Sequence, residues 1–132
     1  MATNSGWTTW RGRVTWAIAA TVCSAGLAQA AVIEGPATYL AAGMYARCII
    51  SNVSKSDRTI EAENIRQDGT VNGAWAPATL APGATWAGSI QAPAGAWVRC
   101  RWTVDGSPSA YRASVCTNLT PTSACYVQVP AN

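Results

Sequence analysis

Polar and apolar residues alternate with period two over several stretches of this chain, the spacing of strands buried on one face. In the clearest stretch Val98, Cys100, Trp102 and Val104 interleave with Trp97, Arg99, Arg101 and Thr103. The first set is the expected core face, since three of its members are large and apolar. Ala110 to Cys116 follows across the polar segment Asp105 to Ser109. Together they predict an antiparallel hairpin in which Trp102 faces Ala113, Cys100 faces Val115, and Arg112 and Ser114 join the arginines outside. Upstream, Thr38 to Val53 predicts one long strand, with Ala46, Cys48 and Ile50 on one face and Tyr45, Arg47 and Ser51 on the other. Thr59 to Gln67 predicts a second, Ile60 and Ala62 inward, Glu61 and Glu63 outward. Asp68-Gly69 is a hairpin signal leading into Thr70 to Trp75. Leu80 to Gly83 reads as a turn, Ala84 to Ile90 as a strand, and Tyr126 to Val129 as a short last one.

Gly and Pro punctuate these segments at Gly35-Pro36, Ala76-Pro77, Pro82-Gly83, Ala92-Pro93, Gly106-Ser107-Pro108 and Thr120-Pro121. Punctuation this frequent leaves no room for long helices and suits a sandwich or barrel. The exception to the pattern is the start. Arg11 and Arg13 precede an apolar run, Val14 to Leu27, that ends in Ala28-Gln29-Ala30. A basic flank, a short apolar run and a small-x-small end predict a secretory signal peptide over residues 1–30. The run is too short to span a bilayer. The expected product is one secreted or periplasmic domain, residues 31–132.

That compartment changes the meaning of the cysteines. Cys23 would leave with the leader, and Cys48, Cys100, Cys116 and Cys125 remain. Four cysteines in a short exported chain predict two disulfides, with three connectivities open. Cys48–Cys100 with Cys116–Cys125 is favoured: the first would staple distant strands, the second would close a short loop. With no Cys-x-x-Cys spacing and no histidine in the chain, no metal ligand set is expected.

Removing Arg11 and Arg13 from nine basic residues leaves the domain one charge positive against its six acids. A near-neutral domain exerts no long-range pull on nucleic acid, so none is expected as partner. Lack of histidine excludes Ser-His-Asp and Cys-His nucleophile systems. Glu61 and Glu63 lie two apart on one strand face, whereas glycosidase carboxyls flank a bond from opposing sides of a cleft. An ordinary solvated face is the expectation for them, with no catalytic residue and no cofactor. Trp75, Trp86 and Trp102 are expected in the core, because the chain has no phenylalanine to supply large aromatic volume; Trp75, just before Ala76-Pro77, has the weaker claim. Asn52-Val53-Ser54 and Asn118-Leu119-Thr120 match the N-glycosylation sequon.

A series of ordered features carries a resemblance. Cys48 with Asn52 four residues on, Asp68-Gly69, Leu80-Ala81-Pro82-Gly83-Ala84-Thr85, Arg99-Cys100-Arg101-Trp102 and Arg112-Ala113-Ser114 together resemble small exported bacterial β-sandwich proteins of unknown function. More distantly they are similar to bacterial immunoglobulin-like adhesion modules. The resemblance runs from Arg47 to Val115. It implies the sandwich and the Cys48–Cys100 pairing and supplies no activity. It departs from true immunoglobulin domains, in which a Trp follows the first cysteine by a dozen or so residues and a Tyr precedes the second by two. The expectation is an all-β, antiparallel, immunoglobulin-like β-sandwich with two disulfides.

One cluster suggests chemistry. Trp97, Arg99 and Arg101 should stand in a row on the outer sheet face, with Arg112 across the ladder. An exposed indole stacks on a sugar ring or a base, and guanidinium groups hold carboxylate, sulfate or phosphate in bidentate fashion. The function expected is a non-catalytic binding module for acidic glycan or a cell-surface partner. The alternative is a small structural or assembly protein of the cell envelope, acting through sheet edges or loops.

Overall fold

The computed structural model describes residues 29–91, 95–125 and 127–131. Most of the expected signal peptide therefore lies outside the described residues, as does Tyr126. Among the described residues nine strands form two packed antiparallel sheets: β1 (Ala30–Glu34), β2 (Thr38–Leu40), β3 (Tyr45–Asn52), β4 (Arg58–Arg66), β5 (Val71–Leu80), β6 (Thr85–Gln91), β7 (Ala96–Asp105), β8 (Tyr111–Asn118) and β9 (Val127–Pro130). One sheet runs β1-β7-β4-β5, with β2 also paired to β7; the other runs β6-β3-β8-β9. We call them sheet A and sheet B.

The inward sets predicted by alternation form the core. Ala46, Cys48 and Ile50 of β3, Ile60 and Ala62 of β4, and Val98, Cys100, Trp102 and Val104 of β7 are all buried. Cys48 and Cys100 are joined across the layers, and Cys116 and Cys125 are joined within the C-terminal segment. The first bridge links the middle of sheet B to the middle of sheet A, an inter-sheet bridge of the immunoglobulin kind. Trp75 and Trp86 meet edge to face, ring centroids 5.3 Å apart, where β5 and β6 close one side of the sandwich. Backbone approaches those rings at Gly88, where a Cβ would lie 2.6 Å from each indole.

Three expectations about strands are corrected. The long strand from Thr38 to Val53 is two: β2 belongs to sheet A and β3 to sheet B. The break falls at Ala42-Gly43, where Gly43 takes φ 79° and Met44 N–H donates to Ala41 O. Glycine reaches this left-handed conformation without the Cβ penalty, so the chain turns there and changes sheet. Next, Ala76-Pro77 does not end a strand. β5 continues to Leu80 as the edge of sheet A, and its register against β4 shifts between Ile60 and Ala62, opposite Ala76-Pro77. A bulge on an edge strand is where a residue without an N–H is tolerated. Trp75 thus stands on a strand. The third correction has functional weight: β7 and β8 are not a hairpin. β7 pairs with β1, β2 and β4, while β8 pairs with β3 and β9. β1, absent from the expectations, occupies the flank of β7 where β8 was expected.

The β7–β8 crossing is held by a polar lock. A short 3-10 turn, Pro108–Ala110, is capped by Ser107. Tyr111 is buried, and its hydroxyl donates to Asp105 Oδ1 at 2.6 Å and to Asp105 O at 2.9 Å. Burial, and then the Asp105 carboxylate, push the Tyr111 phenol well above its ordinary value. Partial burial acts to raise Asp105, but the Tyr111 hydroxyl, the Thr59 N–H and the Arg58 charge outweigh it and hold its carboxyl below the usual range. A depressed carboxyl stabilises the fold at neutral pH and loses that contribution as pH falls through the ordinary Asp value near 3.9 and below. A raised phenol loses its contribution as pH climbs through about 10, where the unfolded chain ionises first. We expect Tyr111→Phe to cost about 1–2 kcal/mol at neutral pH. Urea melts across the pH range should show a flatter acid limb and a flatter alkaline limb for the variant; parallel profiles would contradict the lock.

Both sequon asparagines are fully buried. Asn52 Nδ2 donates to Leu80 O at 2.9 Å and to Ser56 O at 2.8 Å, and its Oδ1 accepts from the Ser54 N–H and hydroxyl. Asn118 Nδ2 donates to Ser123 O at 2.6 Å. Each satisfies the backbone of a turn from inside, so neither offers its amide to a modifying enzyme in the folded state.

Candidate functional site

Because Val98, Cys100, Trp102 and Val104 fill the core, period two turns Trp97, Arg99 and Arg101 onto the outer face of sheet A. Each then meets a neighbour set by register. β2 places Tyr39 opposite Trp97, edge to face, centroids 5.5 Å apart and planes at 62°. Both rings remain close to half exposed, Trp97 at 45% and Tyr39 at 49%. β4 places Glu63 opposite Arg101, whose Nε and Nη2 donate to Glu63 Oε2 at 3.0 and 2.6 Å. This half-exposed pair contributes about 0–1 kcal/mol and commits Arg101 to a structural contact. β1 brings Glu34 to 3.7 Å from Arg99 Nε. That nitrogen is buried and makes no hydrogen bond among the described residues. Ile65 of β4 lies opposite Arg99 and is buried on this outer face.

A recess of about 120 Å³ opens at the Trp97 end, and Ile65, Arg66, Gln67, Trp97 and Arg99 are among the residues that line it. Arg66 was not among the residues the sequence singled out. It is held from within: Nε and Nη2 donate to Asn72 Oδ1, Asn72 donates to Asn64, and the buried Asn64 donates to Arg99 O. Its Nη1 takes no part in those bonds. Two guanidinium groups and one indole thus share a single recess. Arg66 closes β4 immediately before the Asp68-Gly69 turn, and only the pairing of β4 with β7 reveals its company.

Arg112 does not join them. It stands on β8 in sheet B, exposed, its Nη1 donating to Tyr111 O at 2.8 Å and reaching Ser109 O at 3.5 Å. The crossing between β7 and β8 carries it to the other layer, so the expected cluster divides into Trp97, Arg99 and Arg101 on one sheet and Arg112 on the other.

Of the carboxylates, Glu63 is engaged by Arg101. Glu61 lines a recess of about 150 Å³ with Asp105. Asp105 is turned to the Tyr111 hydroxyl and the Thr59 N–H, and its depressed pKa keeps it ionised rather than poised to donate a proton. Among the described residues no three metal-ligating side chains cluster, and no helix is long and apolar enough to cross a membrane. No family model, curated protein or solved structure matches the chain.

Proposed function

We propose that this is an exported, non-catalytic binding module that takes an acidic sugar of an extracellular glycan at the Trp97 recess. The observation that carries the reading is the exposed Tyr39–Trp97 pair beside the guanidinium groups of Arg99 and Arg66. An indole face packs against the C–H face of a pyranose, and guanidinium donors take a carboxylate or sulfate on that ring. Ile65 gives the recess an apolar floor. Two disulfides support an oxidising compartment outside the cytoplasm. The recess is smaller than the roughly 300–1,000 Å³ of enclosed small-molecule pockets. It suits one sugar residue of a longer chain, and single-site affinity should be weak.

Assembly through sheet edges has less in its favour at β5, whose Pro77 and register shift interrupt the ladder a partner strand would need.

The test is calorimetric titration of the oxidised protein with an acidic trisaccharide and its neutral counterpart. We expect preference for the acidic ligand, weakening with salt, and about a tenfold loss in Trp97→Ala, the equivalent of roughly 1.4 kcal/mol. Equal binding by the variant, or indifference to ligand charge, would remove the recess from the reading.

A further inference from the structure

Sheet B carries a charge pattern unlike that of sheet A. All six side-chain carboxylates, Glu34, Asp57, Glu61, Glu63, Asp68 and Asp105, lie on strands of sheet A or in loops; none falls on β3, β6, β8 or β9. On the outer face of sheet B, Arg47 and Arg112 therefore stand without a carboxylate on any strand of their own layer. The Cys116–Cys125 segment reaches across to β6 at the Arg47 end, where Ser89 Oγ donates to Pro121 O at 3.0 Å and register aligns Ser89, Arg47 and Cys116. The Arg112 end holds a groove of about 430 Å³, lined by Ile49, Ser51, Arg112, Ala113, Ser114 and Pro130.

The groove is built for one kind of group. Arg112 Nη1 donates to the Tyr111 carbonyl at 2.8 Å and lies 3.5 Å from the Ser109 carbonyl, contacts that anchor the guanidinium at one nitrogen without neutralising it. Those bonds leave Nε and Nη2, the edge that grips an oxyanion in bidentate fashion. Ser51 lies directly across the ladder from Arg112, and its hydroxyl shares a hydrogen bond with Thr85 at 2.7 Å, so that a Thr85 proton can support Ser51 as it donates outward. Ile49 and Pro130 supply apolar contact for the rest of a ligand.

We propose that this groove is a second ligand site, for a carboxylate or sulfate group, on the opposite face of the sandwich from the Trp97 recess. Arg112 binds the oxyanion through Nε and Nη2 and Ser51 donates a third hydrogen bond. The site shares no residue with the Trp97 recess and does not depend on it.

Nitrogen-15 NMR titrations of the oxidised protein with sodium sulfate, and separately with trigalacturonate, test this. Saturable shifts are expected at the Arg112 Nε–H and the Ser51, Ala113 and Ser114 amides. Arg112→Gln should weaken them about tenfold, and Ser51→Ala about threefold. Response to sulfate alone assigns the site to sulfate esters, response to trigalacturonate alone to uronates, and both outcomes support it. Absence of saturable shifts at these positions with either probe overturns the proposal. So do shifts of equal affinity in Arg112→Gln, or in Ser51→Ala should the arginine variant fail to fold. Trp97→Ala should leave these shifts unchanged, which separates failure here from failure at the recess.

Discussion

Replacing Cys48 and Cys100 together by alanine is expected to lower stability by about 4 kcal/mol, the chain-entropy value for a bridge closing a loop of this size. The bridge spans 52 residues and joins β3 to β7, each the partner of strands on both sides. Both cysteines are fully buried in the cluster that holds Trp102 and Val115. Their loss therefore also removes core volume, which adds to the entropic effect. A small domain is stable by about 5–15 kcal/mol in total, so this one change should remove a large fraction. Replacing Cys116 and Cys125, only 9 residues apart, should cost about 2.5 kcal/mol. Urea midpoints of the two double variants check the order. A smaller loss for the long-range bridge than for the short one would mean that the sheets are held together by packing alone.

Asn52→Asp is expected to cost about 3–5 kcal/mol at neutral pH although it changes almost no volume. The native amide gives two hydrogen bonds, to Leu80 O and Ser56 O, and accepts two from Ser54. A carboxylate keeps the accepting side but turns lone pairs toward two carbonyl oxygens, in a site with no exposure to water. Burial would raise the new carboxyl's pKa, so the deficit should grow as pH rises and shrink as the group takes up its proton. Urea melts near pH 4 and pH 7 read this directly. A deficit independent of pH would show that the side chain acts through shape rather than through its donors.

How far the sequence discloses this molecule depends on distance along the chain. Alternation is local, and it finds the buried faces of β3 and β7 residue by residue and that of β4 as far as Ala62, but not the burial of Ile65 on the outer face. Turn chemistry is local too, so Asp68-Gly69 and Leu80 to Gly83 are found. Sheet membership is not local. Asp105 to Ser109 reads as a hairpin loop because consecutive strands usually pair. Yet β8 crosses to the other layer, its Tyr111 hydroxyl bonded back to Asp105, and β1, from the far end of the chain, takes its place beside β7. The site divides along the same line. Trp97, Arg99 and Arg101 are found from one strand's alternation. Tyr39, Glu34, Glu63 and Arg66 become their neighbours only through register with strands 30 or more residues upstream. The same pairing rule that misplaces β8 puts Arg112 on the wrong surface.

The buried Asn52 amide also bears on where this chain can be made. Where oligosaccharide is transferred before the chain folds, the Asn52 sequon is as accessible as any other residue. A glycan placed there would occupy the nitrogen that must bond Leu80 O and Ser56 O, and it is far too large for a site with no solvent contact. In a host that glycosylates exported proteins, a fully native sequence would yield a fraction that never closes its sandwich. An oxidising compartment without that machinery gives the same chain both of its disulfides and an unmodified Asn52.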